Sequence, residues 1–422
     1  MDQLIIQGNC KLKGEVMING AKNAACAIIP AAILSNDICV IENVPHIEDV
    51  ISLVEVMNEI GVKTEFINKN TLKIDSRNMI NICVNYEPVT KIRSSYYLLG
   101  ALLGRFNKAE VAFPGGCNFG TRPIDLHIKG FEALGSKVNL EHGIIDVSAK
   151  ELVGSNIYLD VASVGATINI MLAAVKSKGL TTIENAAKEP HIVDTANFLN
   201  SMGANIKGAG TDIIKVAGVE TLKGSTYTIV PDQIEAGTYM VAGAITCGDV
   251  TVKNVIPKHM EAISAKLIEM GVEVIEGDEE IRVVVNKPLK NIKLKTLFYP
   301  GFPTDMQPQM AVLLSVVEGT SIITEGIFEN RFQYVDEIKR MGAIIEVEGR
   351  VAVIEGIKQF SGAEVKATDL RAGAGMVLAG LVANGETIVN NVHYVDRGYE
   401  DIEKKLNAMG ANITRISLQE DN

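Results

Sequence analysis

The chain has 422 residues, a formal net charge of −11 and 47% hydrophobic residues. This length predicts two or three domains, and the acidic balance argues against a general nucleic-acid binder. The longest apolar stretch, from Ala24 to Leu34, contains Pro30 and is shorter than the roughly 20 residues that a membrane-spanning helix needs. No basic stretch precedes an apolar run at the N-terminus, so we expect a cytoplasmic protein without membrane insertion.

The cysteines are too widely spaced for a typical metal site, because no two of them form a C-x-x-C pair. We therefore expect free thiols in a reducing compartment and no metal centre. They are Cys10, Cys26, Cys39, Cys83, Cys117 and Cys247.

A motif recurs six times along the chain: an apolar stretch with helical spacing, a glycine, and then strand-like residues. Ahead of Gly61, apolar residues from Ile47 to Ile60 keep near-helical spacing, and the stretch ahead of Gly410 does the same. A glycine at this place can take the left-handed conformation that ends a helix. The six glycines recur about every 70 residues. They are Gly61, Gly135, Gly203, Gly271, Gly342 and Gly410.

The residues after the repeat glycines often predict a β-hairpin. Val272–Val285 and Ala343–Gly356 each contain two β-rich runs around a short turn. The sequence therefore predicts an α/β protein of six units, which divide most simply into two domains of three. A solenoid of six units is the alternative, although these units exceed the usual solenoid repeat.

Polar residues interrupt the apolar pattern first in the segment INGAKNAA, which contains Lys22 and Asn23. A lysine beside the backbone N–H groups of a helix start suits a phosphate or a carboxylate. The simpler interpretation is a solvated lysine at a helix N-terminus.

The segment FPGGCNFGTRPIDLH, from Phe113 to His127, predicts an exposed loop that carries Cys117. The cation Arg122 follows five residues later and could favour the thiolate and bind an anion. A single loop cysteine is more often incidental than catalytic, and the other cysteines read as small core residues.

Two further regions contain candidate functional carboxylates, one in a loop rich in glycine and proline and one close to arginines. Asp305 lies in YPGFPTDMQPQ, where it could be a turn former, a helix N-cap or a general base. Near the C-terminus, Asp369 is close to Arg371 and Asp396 is next to Arg397. From their spacing alone, we expect Asp369 with Arg371 and Asp396 with Arg397 to form ordinary surface ion pairs. A thiol, a loop carboxylate and several cations together suit acid–base addition and elimination on an anionic substrate.

In this order, the segments resemble the UDP-N-acetylglucosamine 1-carboxyvinyltransferase family of the enolpyruvyl transferase superfamily. The likeness runs from about Ile6 to Ile416 and includes SVGATINI, ENAAKEPHIVDTANFL, ENRF, ATDLRA and DRGYE. The specific part is PGGC with the downstream RPIDLH, because the sister family of 5-enolpyruvylshikimate-3-phosphate synthases lacks the cysteine loop.

This resemblance implies a two-domain inside-out α/β barrel. The first three-unit domain, residues 22–231, would carry the cysteine loop. Residues 1–21 plus 232–422 would form the second three-unit domain, with the site in the cleft between the two.

The resemblance also implies roles for individual residues. Lys22, Arg122 and Arg397 would hold the phosphate and carboxylate of phosphoenolpyruvate. Cys117 would protonate the methylene carbon and would be the target of fosfomycin, and Asp305 would take the proton of the sugar 3′-hydroxyl.

Asn23 would contact the intermediate, and Asp369 and Arg371 would lie near the reaction centre. The residues implied to line the nucleotide-sugar pocket are Arg93, Arg122, Pro123, Ile124, Asp125, Leu126, Ser163, Val164, Gly165, Asp305 and Ile327. Neither a metal nor an organic cofactor is expected. The chain departs from some family members at Val161 and Gln233, where those members carry Lys and Arg.

The implied activity is transfer of the enolpyruvyl group of phosphoenolpyruvate to UDP-N-acetylglucosamine. One alternative is transfer to another acceptor, such as shikimate 3-phosphate. The other is a UDP-sugar-binding paralogue without catalysis, although a binding protein would not need both an acid and a base.

Overall fold

The computed structural model describes residues 2–79, 84, 93–113 and 124–417. These residues form two compact units. The first unit takes the described residues from Gly20 to Val230, and the second takes those up to Asn19 and from Pro231 onward. Each unit has a hydrophobic core of its own.

The first unit contains six α-helices and eleven strands among its described residues. The helices are α1 (Lys22–Ala31), α2 (Glu48–Glu59), α3 (Tyr97–Phe106), α4 (Asp125–Ala133), α5 (Val164–Ala174) and α6 (Pro190–Ser201). The strands are β3 (Ile38–Glu42), β4 (Lys63–Asn68), β5 (Thr71–Asp75), β6 (Lys108–Ala112), β7 (Lys137–Glu141), β8 (Ile144–Ser148), β9 (Asn156–Tyr158), β10 (Leu180–Glu184), β11 (Asn205–Lys207), β12 (Ile213–Ala217) and β13 (Thr226–Thr228).

The second unit begins with two strands at the N-terminus, β1 (Asp2–Gln7) and β2 (Lys13–Met17). Its helices are α7 (Gln233–Ile245), α8 (Pro257–Met270), α9 (Gln307–Ser315), α10 (Val335–Arg340), α11 (Leu370–Val382), α12 (His393–Asp396) and α13 (Ile402–Ala408). Its other strands are β14 (Asp249–Lys253), β15 (Glu273–Glu276), β16 (Glu280–Val284), β17 (Lys293–Lys295), β18 (Thr320–Thr324), β19 (Ile344–Glu348), β20 (Val351–Glu355), β21 (Glu364–Lys366), β22 (Glu386–Asn390) and β23 (Asn412–Ser417).

In the described residues, each unit has three small sheets around buried helices. The strand orders are β13-β3-β5-β4, β6-β8-β7 and β11-β12-β10-β9 in the first unit, and β21-β22-β1-β23, β15-β16-β14-β2 and β17-β18-β20-β19 in the second. Every residue of α5 from Ala166 to Ala174 is buried, as is every residue of α11 from Leu370 to Leu381. Helices that are apolar all round belong in a core, whereas strands that alternate buried and exposed residues face water on one side. The helices therefore lie inside and the sheets outside, which confirms the predicted α/β class.

The six repeat glycines all have positive φ angles, between 87° and 105°. Each follows a helix, and the strand after it pairs with a neighbour within a sheet. Five of these strands start the hairpins β4–β5, β7–β8, β11–β12, β15–β16 and β19–β20, whereas β23 pairs with β1. The six α/β units predicted from the sequence are thus confirmed.

The cysteines of the described residues differ in exposure. Cys10, Cys26, Cys39 and Cys247 are free thiols, as expected. Cys26 and Cys39 are buried, but Cys247 is exposed, so its prediction as a small core residue is wrong. Cys247 follows the last turn of α7 with a φ of 48°, where the chain turns toward β14 on the surface. None of the helices in the described ranges is long and apolar enough to cross a membrane.

Candidate active site

Lys22 is the first residue of α1 and is only 8% exposed. Its Nζ atom lies 2.8 Å from Oδ2 of Asp49, in the first turn of α2. Both side chains are at least nine-tenths buried, so this pair differs from a solvated surface pair. The interpretation of Lys22 as a solvated helix-start lysine is therefore wrong, because α2 brings a carboxylate to it. Asn23 follows in the same turn and is half-buried.

Two helix N-termini of the first unit carry most of the expected nucleotide-sugar residues. Asp125 begins α4, with Ile124 before it and Leu126 after it, and Val164 and Gly165 begin α5. Ser163 caps α5, and its side chain accepts a hydrogen bond from Ala166 N at 3.3 Å. Helix N-termini present unpaired N–H groups, which suit phosphate oxygens.

A hydrogen bond ties the first turn of α4 to the middle of α5. Nδ1 of His127 on α4 lies 3.0 Å from Nδ2 of Asn169 on α5, and both residues are buried. The ring of His127 also contacts Tyr96, with centroids 5.4 Å apart. The structure thus brings the 124–126 and 163–165 segments into one region of the first unit.

The structure does not describe the side chains of four residues that the resemblance assigns to the site. Cys117, Arg122 and Pro123 lie outside the described residues. Arg93 starts the 3₁₀ turn Arg93–Tyr96, and only its backbone is described.

In the second unit, Asp305 lies between two buried arginines. It sits in the 3₁₀ turn Thr304–Met306 before α9, with its side chain 30% exposed. Nη2 of Arg331 is 3.5 Å from Oδ1, and Nε of Arg371 is 3.3 Å from Oδ2. Both arginine side chains are 1% exposed. The two guanidinium groups hold one carboxylate oxygen each, and a carboxylate oriented in this way can accept a proton from a hydroxyl that approaches it.

Asp369 and Arg371 do not form the surface ion pair that their spacing suggests. Asp369 caps α11, where Oδ1 accepts from the N–H groups of Arg371 at 2.8 Å and Ala372 at 3.1 Å. The Arg371 guanidinium instead points to Asp305 and lies over the Tyr399 ring, 5.3 Å from its centroid. The surface prediction is wrong because the cap turns the carboxylate inward and the helix carries the arginine into the core.

Asp396 and Arg397 also differ from their prediction as a surface pair. Arg397 is the C-cap of α12, and Asp396 is that helix's last residue. The Asp396 carboxylate binds Arg415 of β23 through two hydrogen bonds, of 3.0 and 2.7 Å. Asp396 therefore pairs with Arg415 and not with its sequence neighbour Arg397.

Ile327 lies in the loop after β18, where its N–H donates to Oε1 of Glu325 at 2.9 Å. The other oxygen of Glu325 accepts from Oγ1 of Thr304 at 3.1 Å, beside Asp305. The loop that contains Ile327 and the turn that contains Asp305 are thereby linked.

Sequence reasoning missed several residues of these clusters: Asp49, Glu325, Arg331 and Arg415. Arg331 had a signal, because it lies in the segment ENRF that supported the family resemblance. The other three are single charged residues in a helix, a loop and a strand, and nothing in the local pattern singles them out.

Comparisons with known proteins place the chain in a family and a fold. The family model for EPSP synthase (3-phosphoshikimate 1-carboxyvinyltransferase) matches residues 6–406. The enolpyruvyl transferase NikO from Streptomyces tendae has a TM-score of 0.89 and 26% identity, with 99% of each chain covered. An EPSP synthase from Acinetobacter baumannii has the same fold, with a TM-score of 0.76, 20% identity and coverage of 99% of this chain and 100% of that one. Fold and site together define an enolpyruvyl transferase.

More similar relatives show which family of enolpyruvyl transferases the chain belongs to. UDP-N-acetylglucosamine 1-carboxyvinyltransferase 2 of Clostridium acetobutylicum is 57% identical over 99% of this chain and 100% of its own. The UDP-N-acetylglucosamine 1-carboxyvinyltransferase of Halothermothrix orenii is 53% identical, again over 99% of this chain and 100% of its own. The chain belongs to the UDP-N-acetylglucosamine 1-carboxyvinyltransferase family.

Proposed function

We propose that the chain transfers the enolpyruvyl group of phosphoenolpyruvate to the 3′-hydroxyl of UDP-N-acetylglucosamine and releases phosphate. This reaction is the first committed step of peptidoglycan synthesis, and we place it in the cytoplasm. The names of relatives that share more than half of their residues with this chain over its whole length support the proposal. The two substrates are small anions, and the chemistry consists of proton transfers, addition of the sugar hydroxyl and loss of phosphate.

In the proposed mechanism, different residues act as the general acid and the general base. Cys117 protonates the methylene carbon of phosphoenolpyruvate, which leaves oxocarbenium character at the neighbouring carbon. Asp305 accepts the proton of the 3′-hydroxyl as that oxygen attacks this carbon. Loss of a proton from the new methyl group and departure of phosphate then give the enol ether. Lys22, Arg122 and Arg397 hold the phosphate and carboxylate and stabilise the leaving group.

The observation that carries this proposal is the setting of Asp305. Arg331 and Arg371 fix a carboxylate that is still 30% exposed, so it is oriented and accessible to a substrate hydroxyl. On the first unit, the N-termini of α4 and α5 supply N–H groups suited to the diphosphate of a nucleotide sugar.

The decisive experiment is an acceptor-dependent phosphate assay. Phosphate release from phosphoenolpyruvate is measured with UDP-N-acetylglucosamine, with shikimate 3-phosphate and without acceptor, and the nucleotide-sugar product is weighed by mass spectrometry. We expect release only with UDP-N-acetylglucosamine, together with a product that carries one enolpyruvyl group. Release with shikimate 3-phosphate would assign a different acceptor. Binding of the nucleotide sugar without release would mean a protein that does not catalyse the reaction.

A further inference from the structure

The loop after β18 meets the turn that carries Asp305 at two points. Oε2 of Glu325 accepts from Oγ1 of Thr304 at 3.1 Å, and Nη2 of Arg331 reaches Oδ1 of Asp305 at 3.5 Å. Thr304 and Asp305 are neighbours in one 3₁₀ turn, so both contacts act on the same short segment. Arg331 contacts the Asp305 carboxylate itself, whereas Glu325 contacts the side chain of Thr304, the residue before Asp305.

Glu325 is 1% exposed and is used as an acceptor on both oxygens. Oε1 accepts from the N–H groups of Ile327 at 2.9 Å and Phe328 at 3.2 Å, while Oε2 accepts from Thr304. A buried carboxylate is costly unless such bonds satisfy it, and an ionised carboxylate has no proton to donate. These three bonds therefore fix the orientation of the Glu325 side chain.

The backbone beneath Glu325 is also held in place. Its N–H donates to Arg350 O at 2.7 Å, and the N–H of Gly326 donates to Oγ1 of Thr296 at 2.8 Å. A Cβ added at Gly326 would lie 2.2 Å from Thr296 O, so only glycine lets the two backbones approach this closely. The loop is thus a rigid support for the carboxylate.

We propose that Glu325 is a positioning residue for the proton transfer: through Thr304 it sets the place of the Asp305 carboxylate relative to the loop that contains Ile327. The proposal rests on the proposed function, in which Asp305 is the base and Ile327 lines the sugar pocket. Glu325 acts through Thr304 and does not need to touch the substrate. Its link holds the base and the pocket wall at one fixed separation, and a base displaced by about 1 Å can lose 10²-fold in rate.

Thr304→Val tests the link at Thr304, because valine keeps the shape of threonine and replaces its hydroxyl with a methyl group that cannot donate a hydrogen bond. We expect kcat with UDP-N-acetylglucosamine to fall roughly 10- to 100-fold, with the KM for phosphoenolpyruvate unchanged. Thr304→Ser keeps the hydroxyl and should restore most of kcat.

Glu325→Asp tests the link from the other end. Aspartate readily accepts from the N–H groups two and three residues onward, so the bonds to Ile327 and Phe328 should survive. The shorter side chain no longer reaches Thr304, so kcat should fall as in Thr304→Val. Because both changes remove one contact, the double variant should be no slower than either single variant.

Two controls separate positioning from a general loss of structure. Thr246→Val removes a buried hydroxyl elsewhere in the second unit, which donates to Ala242 O at 2.8 Å, and should leave kcat unaffected. In an Asp305→Asn background the base is absent, so adding Thr304→Val should cause no further loss.

The proposal is overturned if Thr304→Val keeps wild-type kcat, or if its loss is undiminished in the Asp305→Asn background. Failure of the proposed function would be seen separately, as absence of transfer to UDP-N-acetylglucosamine by the wild-type chain itself.

Discussion

Arg415 binds Asp396 through both carboxylate oxygens, with Nη1 3.0 Å from Oδ2 and Nη2 2.7 Å from Oδ1. The same guanidinium also bonds Glu403 of α13, at 3.1 and 3.2 Å. Because Asp396 directly precedes Arg397, this clamp fixes the end of α12 from which Arg397 projects. A planar, bidentate pair orients its partner more strictly than a single point charge does.

Arg415→Lys should therefore weaken the hold on phosphoenolpyruvate. Lysine keeps the charge but cannot form the fork, so we expect the KM for phosphoenolpyruvate to rise about tenfold. Steady-state kinetics with UDP-N-acetylglucosamine saturating gives this value. Arg282→Lys is a control, because Arg282 also forms two hydrogen bonds to one carboxylate, from Nε and Nη2 to Asp249 on the sheet surface, at 2.7 and 2.8 Å. An equal KM change in both variants would contradict a specific effect on Arg397.

Asp305→Asn should separate binding from transfer. The amide fills the same space and still offers one acceptor to the arginines, but it cannot take the hydroxyl proton. We expect kcat to fall by about 10²–10⁴-fold, with near-normal affinity for UDP-N-acetylglucosamine by calorimetry. Retention of more than about a tenth of wild-type turnover would exclude the base role.

Lys22→Met should remove activity and also destabilise the first unit. It removes the cation that lies 2.8 Å from the buried Asp49 carboxylate, and breaking a buried ion pair typically costs about 3–5 kcal/mol in free energy of unfolding. Adding Asp49→Asn should recover stability in denaturant unfolding without recovering activity. Lys129→Met removes the exposed pair with Asp160 and should change stability by less than about 1 kcal/mol. If the two variants lost equal stability, the buried pair would have no special role.

Cys117 should be the thiol that fosfomycin alkylates. Burial raises the pKa of Cys10 to about 11 and also raises that of Cys39, so neither is a good nucleophile near neutral pH. Cys247 is exposed and free, which makes Cys247→Ser the control that should still be labelled. Cys117→Asp keeps an acid and should retain some turnover while escaping the label, and Cys117→Ala should not turn over. Peptide mass spectrometry that finds the label on Cys247 or Cys26 would refute the assignment.

Asp194 should make the first unit less stable as the pH rises. Burial raises the pKa of this carboxyl from 3.8 to about 6, against hydrogen bonds from Tyr227 OH at 2.5 Å and Val230 N at 3.2 Å. A raised carboxyl pKa means that the folded state favours the protonated form. Its stabilising contribution is full below the unfolded pKa near 4 and is lost as the pH passes through about 6, up to roughly 3 kcal/mol.

The measurement is the free energy of unfolding between pH 4.5 and 7 for the wild type and for Asp194→Asn. The wild type should lose stability relative to the variant across this range. Asp75→Asn should not change the slope, because its Arg77 partner lowers the pKa of Asp75 to about 2, below the range. Parallel curves for wild type and Asp194→Asn would contradict the burial effect.

The sequence by itself determined the six-fold repeat and the glycines that end its helices. Helical spacing of apolar residues and a glycine able to take a positive φ are local properties, so the six units could be predicted from the order of residues alone. All six glycines, from Gly61 to Gly410, have that conformation in the structure. The family motifs likewise named Lys22, Asp305 and Arg371 as single residues.

Only the tertiary structure decided which charges meet. Asp305 pairs with arginines 26 and 66 residues away, although sequence proximity suggested Asp369 as the partner of Arg371. Lys22 and Asp49 lie on successive helices whose packing angle no local pattern specifies. The link from Glu325 to Thr304 likewise joins a loop and a turn that are adjacent only once β18 and α9 are packed. Periodicity fixes which face of an element is buried, but the pairing of buried charges depends on how several elements pack together.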